Sequence, residues 1–129
     1  MNNSNGRRHH ASRFVYVVEP DSSLRERIVS LLSPSSCSVK TYPCAEDFLV
    51  QSEIVADCLI LGIETSGMTA VELVRELKYR GVDIPIIVLG NKDNLPKIVQ
   101  IMRAGAVDFI GKPFTDQRLI ASVKKMLSL

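Results

Sequence analysis

From Arg13 onward, short apolar runs alternate with longer stretches in which apolar residues recur every three or four positions. RFVYVVE, residues 13 to 19, is β-branched and aromatic, predicts a buried strand, and stops at Glu19-Pro20. Asp21, Ser22 or Ser23 can cap the helix that follows, in which Leu24, Ile28, Leu31 and Leu32 share one face before Ser33-Pro34 ends it. CSVKTY at 37 to 42 predicts a second strand, and AEDFLVQS after Pro43 a short helix with Phe48 and Leu49 inward. Asp57 to Leu61 is a third strand, continuously apolar after its first residue, as a strand covered on both faces must be.

Gly62 to Met68 then reads as a loop. Ala70, Leu73, Val74 and Leu77 at i, i+3, i+4 and i+7 predict a helix over residues 69 to 80, closed by Gly81. Ile84 to Leu89 is the fourth strand. After the turn-rich GNKDN, Leu95, Val99 and Met102 mark the inner face of a helix ending near Ala104-Gly105. Val107 to Ile110 is the fifth strand, and Leu119, Val123 and Leu127 mark a last helix. Five uninterrupted β-α units predict an α/β fold, a doubly wound five-stranded parallel sheet with helices on both faces, because parallel strands need right-handed crossovers. Ligands of such sheets bind outside the carboxyl ends of the strands. Four of those ends are Glu19-Pro20-Asp21, Gly62-Ile63-Glu64, Gly90-Asn91-Lys92 and Gly111-Lys112-Pro113.

At 129 residues, 46% apolar and 23% charged, the chain fits one globular domain. Residues 1 to 12 are polar and aperiodic and read as a disordered leader, with His9 and His10 in a solvated tail; the domain is expected over 13–129. The net charge is +2, and without Arg7, Arg8 and Arg13 the remainder carries −1, which excludes a basic nucleic-acid platform in the body. No apolar run approaches the roughly 20 residues of a membrane helix, and no signal-peptide pattern appears. Cys37, Cys44 and Cys58 have neither CxxC nor metal-ligand spacing and read as reduced thiols of a cytoplasmic protein.

The strand ends carry a resemblance. MRAGAVDFIGKPF at 102 to 114, CAEDFL at 44 to 49 and GMTAVELVRELK at 67 to 78 resemble the receiver domains of bacterial two-component response regulators, most closely the FixJ-like subgroup, over about residues 14 to 128. The resemblance implies a flavodoxin/CheY-like strand order 2-1-3-4-5. It also implies a set of functional groups: two acids after strand one, a phosphoacceptor aspartate ending strand three, a hydroxyl ending strand four and a lysine after strand five. In the family the acids and the aspartate hold Mg²⁺, and the lysine offsets the charge that develops on the phosphoryl group.

Carried over position by position, that set is degenerate. The acceptor falls at Gly62, the acid pair at Glu19 and Pro20, the hydroxyl at Gly90 and the switch aromatic at Phe109; only Lys112, followed by Pro113, is intact. Asp57 begins its strand five residues before Gly62, roughly 16 Å away at 3.3 Å per residue, and cannot substitute. Glu64 and Ser66 lie in the loop beside Gly62; at Glu64 the family contributes a backbone carbonyl to the metal. Asp21 reads as a helix cap or surface acid, or as an improvised metal contact. Three carboxylates about 5 Å apart repel by about 3 kcal/mol per pair at an effective dielectric near 20, which is what draws in a divalent cation. Here Glu19 and Lys112 alone are expected in the cleft, pairing directly or through water, so no cofactor is expected and Mg²⁺ binding should be weak or absent. The cleft is then collapsed, filled by Ile63 or Glu64, or open to another ligand.

The resemblance further implies a dimerisation face made by helix four, strand five and helix five. Lys97, Ile101, Arg103, Asp108, Arg118 and Lys124 are its expected members, Ile101 as an exposed apolar residue. The expected function is a phosphorylation-independent receiver that is not an enzyme and acts as a signalling or dimerisation module. Its partners would be a second copy or another signalling protein, with DNA contacted only through a domain outside this chain and no membrane contact. The alternatives are phosphorylation at a substitute residue and a small-ligand module using the vacated cleft.

Overall fold

The computed structural model describes residues 13 to 51, 53 to 65 and 67 to 127. The expected leader over residues 1 to 12 and the candidate Ser66 lie outside the described residues.

Strands β1 (Arg13–Val18), β2 (Cys37–Tyr42), β3 (Cys58–Gly62), β4 (Ile86–Asn91) and β5 (Asp108–Lys112) form one sheet in the order β2-β1-β3-β4-β5. Every pairing is parallel. Helices α1 (Ser22–Leu32), α2 (Ala45–Leu49), α3 (Ala70–Tyr79), α4 (Leu95–Ala104) and α5 (Asp116–Leu127) connect them, with 3₁₀ turns at Ser33–Ser35 and Lys92–Asn94. No helix among the described residues is long and apolar enough to cross a membrane.

Alternation along the strands makes two cores. Tyr16, Val18, Leu59, Leu61 and Val88 meet Phe48, Leu73, Leu77, Ile98 and Ile101 on one face. Val15, Val17, Ile60, Ile87 and Ile110 meet Ile28, Leu32, Leu119 and Val123 on the other. Each fully buried aliphatic side chain contributes about 1.5 to 3 kcal/mol relative to exposure, so these two layers dominate stability. Local signals agree with them. Asp21 caps α1 by accepting from the Ser23 and Leu24 amides, and Thr69 and Glu72 form a capping box at α3. Gly105, at φ 135°, returns the chain from α4 in a conformation that L side chains rarely adopt.

The strand boundaries shift toward the carboxyl edge. β3 starts at Cys58 and includes Gly62, β4 includes Gly90 and Asn91, and β5 includes Lys112. Asp57 is left outside β3 at the opposite edge, where its carboxylate accepts the Phe14 amide at 2.8 Å. There too the Arg13 guanidinium donates to the Leu127 carbonyl, joining the start of β1 to the end of α5.

Helix α4 is turned relative to the sequence expectation. Ile98 and Ile101 are buried, whereas Leu95 is 61% and Val99 38% exposed. The expected inner residues Leu95 and Val99 thus lie outside, and Ile101 lies in the core. The helix carries apolar residues at 95, 98, 99, 101 and 102, enough for two overlapping stripes. Packing of Ile98 and Ile101 into the core selects between them, and at the helix end the amides of Gly105 and Ala106 both donate to the Ile101 carbonyl and lead into β5.

Charge divides along the chain as well. Residues 13 to 91 hold eleven acidic and seven basic side chains, and residues 92 to 127 three acidic and seven basic, a net −4 against +4.

Candidate functional site

Parallel register gathers the strand ends. Gly62 pairs with Leu89, Gly90 with Gly111 and Asn91 with Lys112, while Val18, just before Glu19, pairs with Leu61. Glu19, Gly62, Gly90 and Lys112 therefore share one edge.

Glu19 is 2% exposed, a rare place for a carboxylate unless it is paired. Its Oε1 lies 3.3 Å from Lys112 Nζ and its Oε2 accepts the Asp21 amide at 3.0 Å. Arg25 Nη1 donates to the Glu19 carbonyl at 2.7 Å and the Pro20 carbonyl at 3.0 Å, so a second cation fixes the same turn. The carboxylate lies directly over Gly62. A Cβ there would sit 3.1 Å from the Glu19 carboxyl carbon and closer still to Oε1, well inside contact. Glu19 thus occupies, from β1, the space that a side chain at position 62 would take from β3.

A second interlock lies beside it. Ile63 is buried, its amide donates to the Leu89 carbonyl at 2.8 Å, and its Cγ2 and Cβ would stand 2.7 and 3.2 Å from a Cβ on Gly90. Of the sequence alternatives for the cleft, the geometry is that of a filled one, with Ile63 and Glu19 as the filling side chains. Glu64 is exposed and turned away toward Asn94, whose Nδ2 stands 3.5 Å from its Oε2. Pro20 and Pro113 are exposed, the latter after a cis bond from Lys112, and Phe109 is half-buried against the core that holds α2, α3 and α4. Arg27 ties α1 to the loop after β5, binding Asp116 at 2.7 Å and the Phe114 carbonyl at 3.0 Å, with its guanidinium 4.4 Å from the Phe114 ring centroid.

The six expected interface residues do not form one patch. Ile101 is buried, for the reason given by the rotation of α4. Lys97 lines a groove toward α3, together with Arg75. Lys124 follows Arg118 by six residues, about 240° around a helix of 3.6 residues per turn, so the two point to different sides. Arg103 is exposed, and Asp108 and Arg118 do meet. Arg118 donates to both Asp108 oxygens at 3.3 and 3.2 Å, and Ser122 Oγ donates at 2.6 Å. Burial pushes the Asp108 carboxyl up, but the hydrogen bonds from Ser122, Arg118 and the Phe109 amide, with the Arg118 charge, bring it below its ordinary value. Leu95 and Val99, expected inward from their spacing, stand exposed on α4. Their i, i+4 spacing was visible; its direction was not.

Among the described residues no group of three or more His, Cys, Asp or Glu side chains could hold a metal ion. Burial, then the charge of Asp57 and proximity to Cys37, push the Cys58 thiol up to about 12, which leaves it unreactive.

Residues 15–124 match the family model described as the response regulator receiver domain. The chain is similar to the response regulator protein TodT of Pseudomonas putida, 32% identical over 127 residues that cover 96% of this chain and 56% of that protein. It is similar also to the transcriptional regulatory protein FixJ of Azorhizobium caulinodans, 33% identical over 115 residues, 88% of this chain and 54% of that protein. It therefore spans about half the length of these curated relatives. Among solved structures, FixJ-N superposes with a TM-score of 0.81 at 31% identity, covering 90% of this chain and 94% of its own. A response regulator receiver protein from Pseudoalteromonas atlantica gives 0.79 at 31% identity, with 89% and 97% covered.

Proposed function

The chain belongs to the response regulator receiver domain family, and from that premise we propose that it is a receiver which works without accepting phosphate, as an interaction module rather than an enzyme. The observation that carries this reading is the Glu19 carboxylate over Gly62. The strand that supplies the family's acceptor ends here in a residue without a side chain, and the space is taken by an acid already held by Lys112 and the Asp21 amide.

The residues present do not fit Mg²⁺. A hard cation takes six oxygen ligands, usually including one or two carboxylates. Here both oxygens of Glu19 are engaged, Asp21, which lines a groove with Lys112, is turned to capping α1, and Pro20 and Gly62 offer no side-chain donor. Lys112 and Arg25 supply the positive charge around this turn instead. The hydroxyl that would follow a phosphate is replaced by Gly90, and Ile63 stands over it.

With the phosphate route closed, the surface does the signalling. The flank of α4 that carries Leu95 and Val99, with β5 and the Arg118 side of α5, is the face for a second copy or another signalling protein. DNA contact, in a longer protein, belongs to a domain outside this chain.

Intact mass after incubation with acetyl phosphate and Mg²⁺, with a competent receiver as control, tests the reading. The expected result is an unmodified chain beside a modified control. A stoichiometric phosphate adduct would overturn it, and mapping would then show whether Glu64 or Ser66 had taken the phosphoryl group.

A further inference from the structure

A groove of about 400 Å³ runs between α3 and α4 beside the filled cleft. Its walls include the buried side chains of Ile63, Ala70 and Ile101, and its volume falls in the range of small-molecule sites. Each helix adds a cation one turn from an apolar wall residue: Arg75 follows Val71 by four residues, and Lys97 precedes Ile101 by four. Neither cation has a salt-bridge partner among the described residues.

Two acids also line the groove, and both are turned to local partners. Glu72 Oε1 accepts the Thr69 amide at 2.8 Å, closing the capping box of α3, and Glu64 Oε2 faces Asn94. The two cations are left without an ion-pair partner among the described residues, and the lining is mixed, apolar at Ile63, Ala70, Val71 and Ile101 and polar at Thr65 and Gln100, which suits a molecule with a charged and an apolar end. We propose that this groove binds a small amphiphilic carboxylate, its anionic head between Arg75 and Lys97 and its apolar body against Ile63, Ala70 and Ile101.

Ile63 gives the site a route to the rest of the fold. The same side chain that lines the groove packs over Gly90 at the end of β4, so a ligand pressing on Ile63 bears on the loop from β4 to α4. A molecule in the groove thereby acts where a phosphate-bound hydroxyl acts in competent receivers. This role as a substitute input rests on the reading that the cleft takes no phosphate; the binding itself does not.

The test is a titration of the full chain, carrying ¹³C-labelled isoleucine methyls and ¹⁵N amides, with 4-phenylbutyrate and, as a neutral control, 4-phenylbutyramide. Saturable shifts of the Ile63 and Ile101 methyls and the Gly90 amide are expected below about 10 mM carboxylate, at least about tenfold weaker for the amide and for R75Q/K97Q. No saturation below that concentration, or equal binding of the amide, or no loss in R75Q/K97Q, overturns the site. Saturable methyl shifts with an unmoved Gly90 amide overturn the route through Ile63. A phosphate adduct in the mass experiment, with the groove still responding, would remove the substitute role and leave the site, so the two readings fail separately.

Discussion

Gly62 and Glu19 depend on each other, because the carboxylate fits only where there is no Cβ. Restoring an aspartate by Gly62→Asp alone should therefore cost stability, about 1 to 3 kcal/mol from overpacking, with repulsion between two adjacent carboxylates in addition. Guanidinium denaturation should show the loss, and adding Glu19→Ala should recover most of it. Lys112→Met should also destabilise. A buried pair broken from one side costs about 3 to 5 kcal/mol, and because the lysine side chain is 30% exposed and water can replace it, about 1 to 3 kcal/mol is expected. Asp108 gives a pH dependence of known sign. Its carboxyl is lower in the fold than in the unfolded chain, so its contribution is fully present above the unfolded value and is lost as pH falls through the folded one. Thermal melts of Asp108→Asn should accordingly lose less stability than the parent below about pH 4.

At the scale of elements, most of the fold was legible in the sequence because one cause fixed each feature. Alternating apolar strands and amphipathic helices require a parallel sheet with right-handed crossovers, the strand order being what the family resemblance implies, and Asp21 and Gly105 mark their helix ends with side-chain and backbone requirements that no neighbour overrides. Helix α4 was legible as a helix and not in its rotation, because two apolar stripes overlap and only packing against the sheet selects between them. The cleft was legible as a set of substitutions at strand ends. That Glu19 would lie over Gly62, and Ile63 over Gly90, depends on side-chain directions between strands distant in sequence, which no spacing encodes. The rotation itself makes a prediction. Ile101→Ala should cost about 2 to 5 kcal/mol by leaving a cavity. Leu95→Glu with Val99→Glu should change stability by less than about 1 kcal/mol while weakening any self-association seen by sedimentation velocity.

Across the whole molecule, the division into a net −4 and a net +4 segment affects how copies meet. A two-fold contact through the α4 and α5 side brings segments of the same net positive charge together from both copies, so such a dimer should tighten as salt rises. Binding of an acidic partner to that side should weaken instead. Sedimentation at about 50 mM and about 300 mM salt separates the two, since the Debye length shortens over that range.

The contact from Arg13 to the Leu127 carbonyl has a topological consequence. The first and last described residues of the fold are neighbours, so the chain approaches a closed ring whose opening point is a matter of choice. A circular permutant that links Leu127 to Arg13 through a short glycine linker and begins at Val82, in the turn after α3, keeps all four strand pairings. It should fold to the same circular-dichroism spectrum as the parent, with a loss of stability no larger than the entropy of closing the new loop.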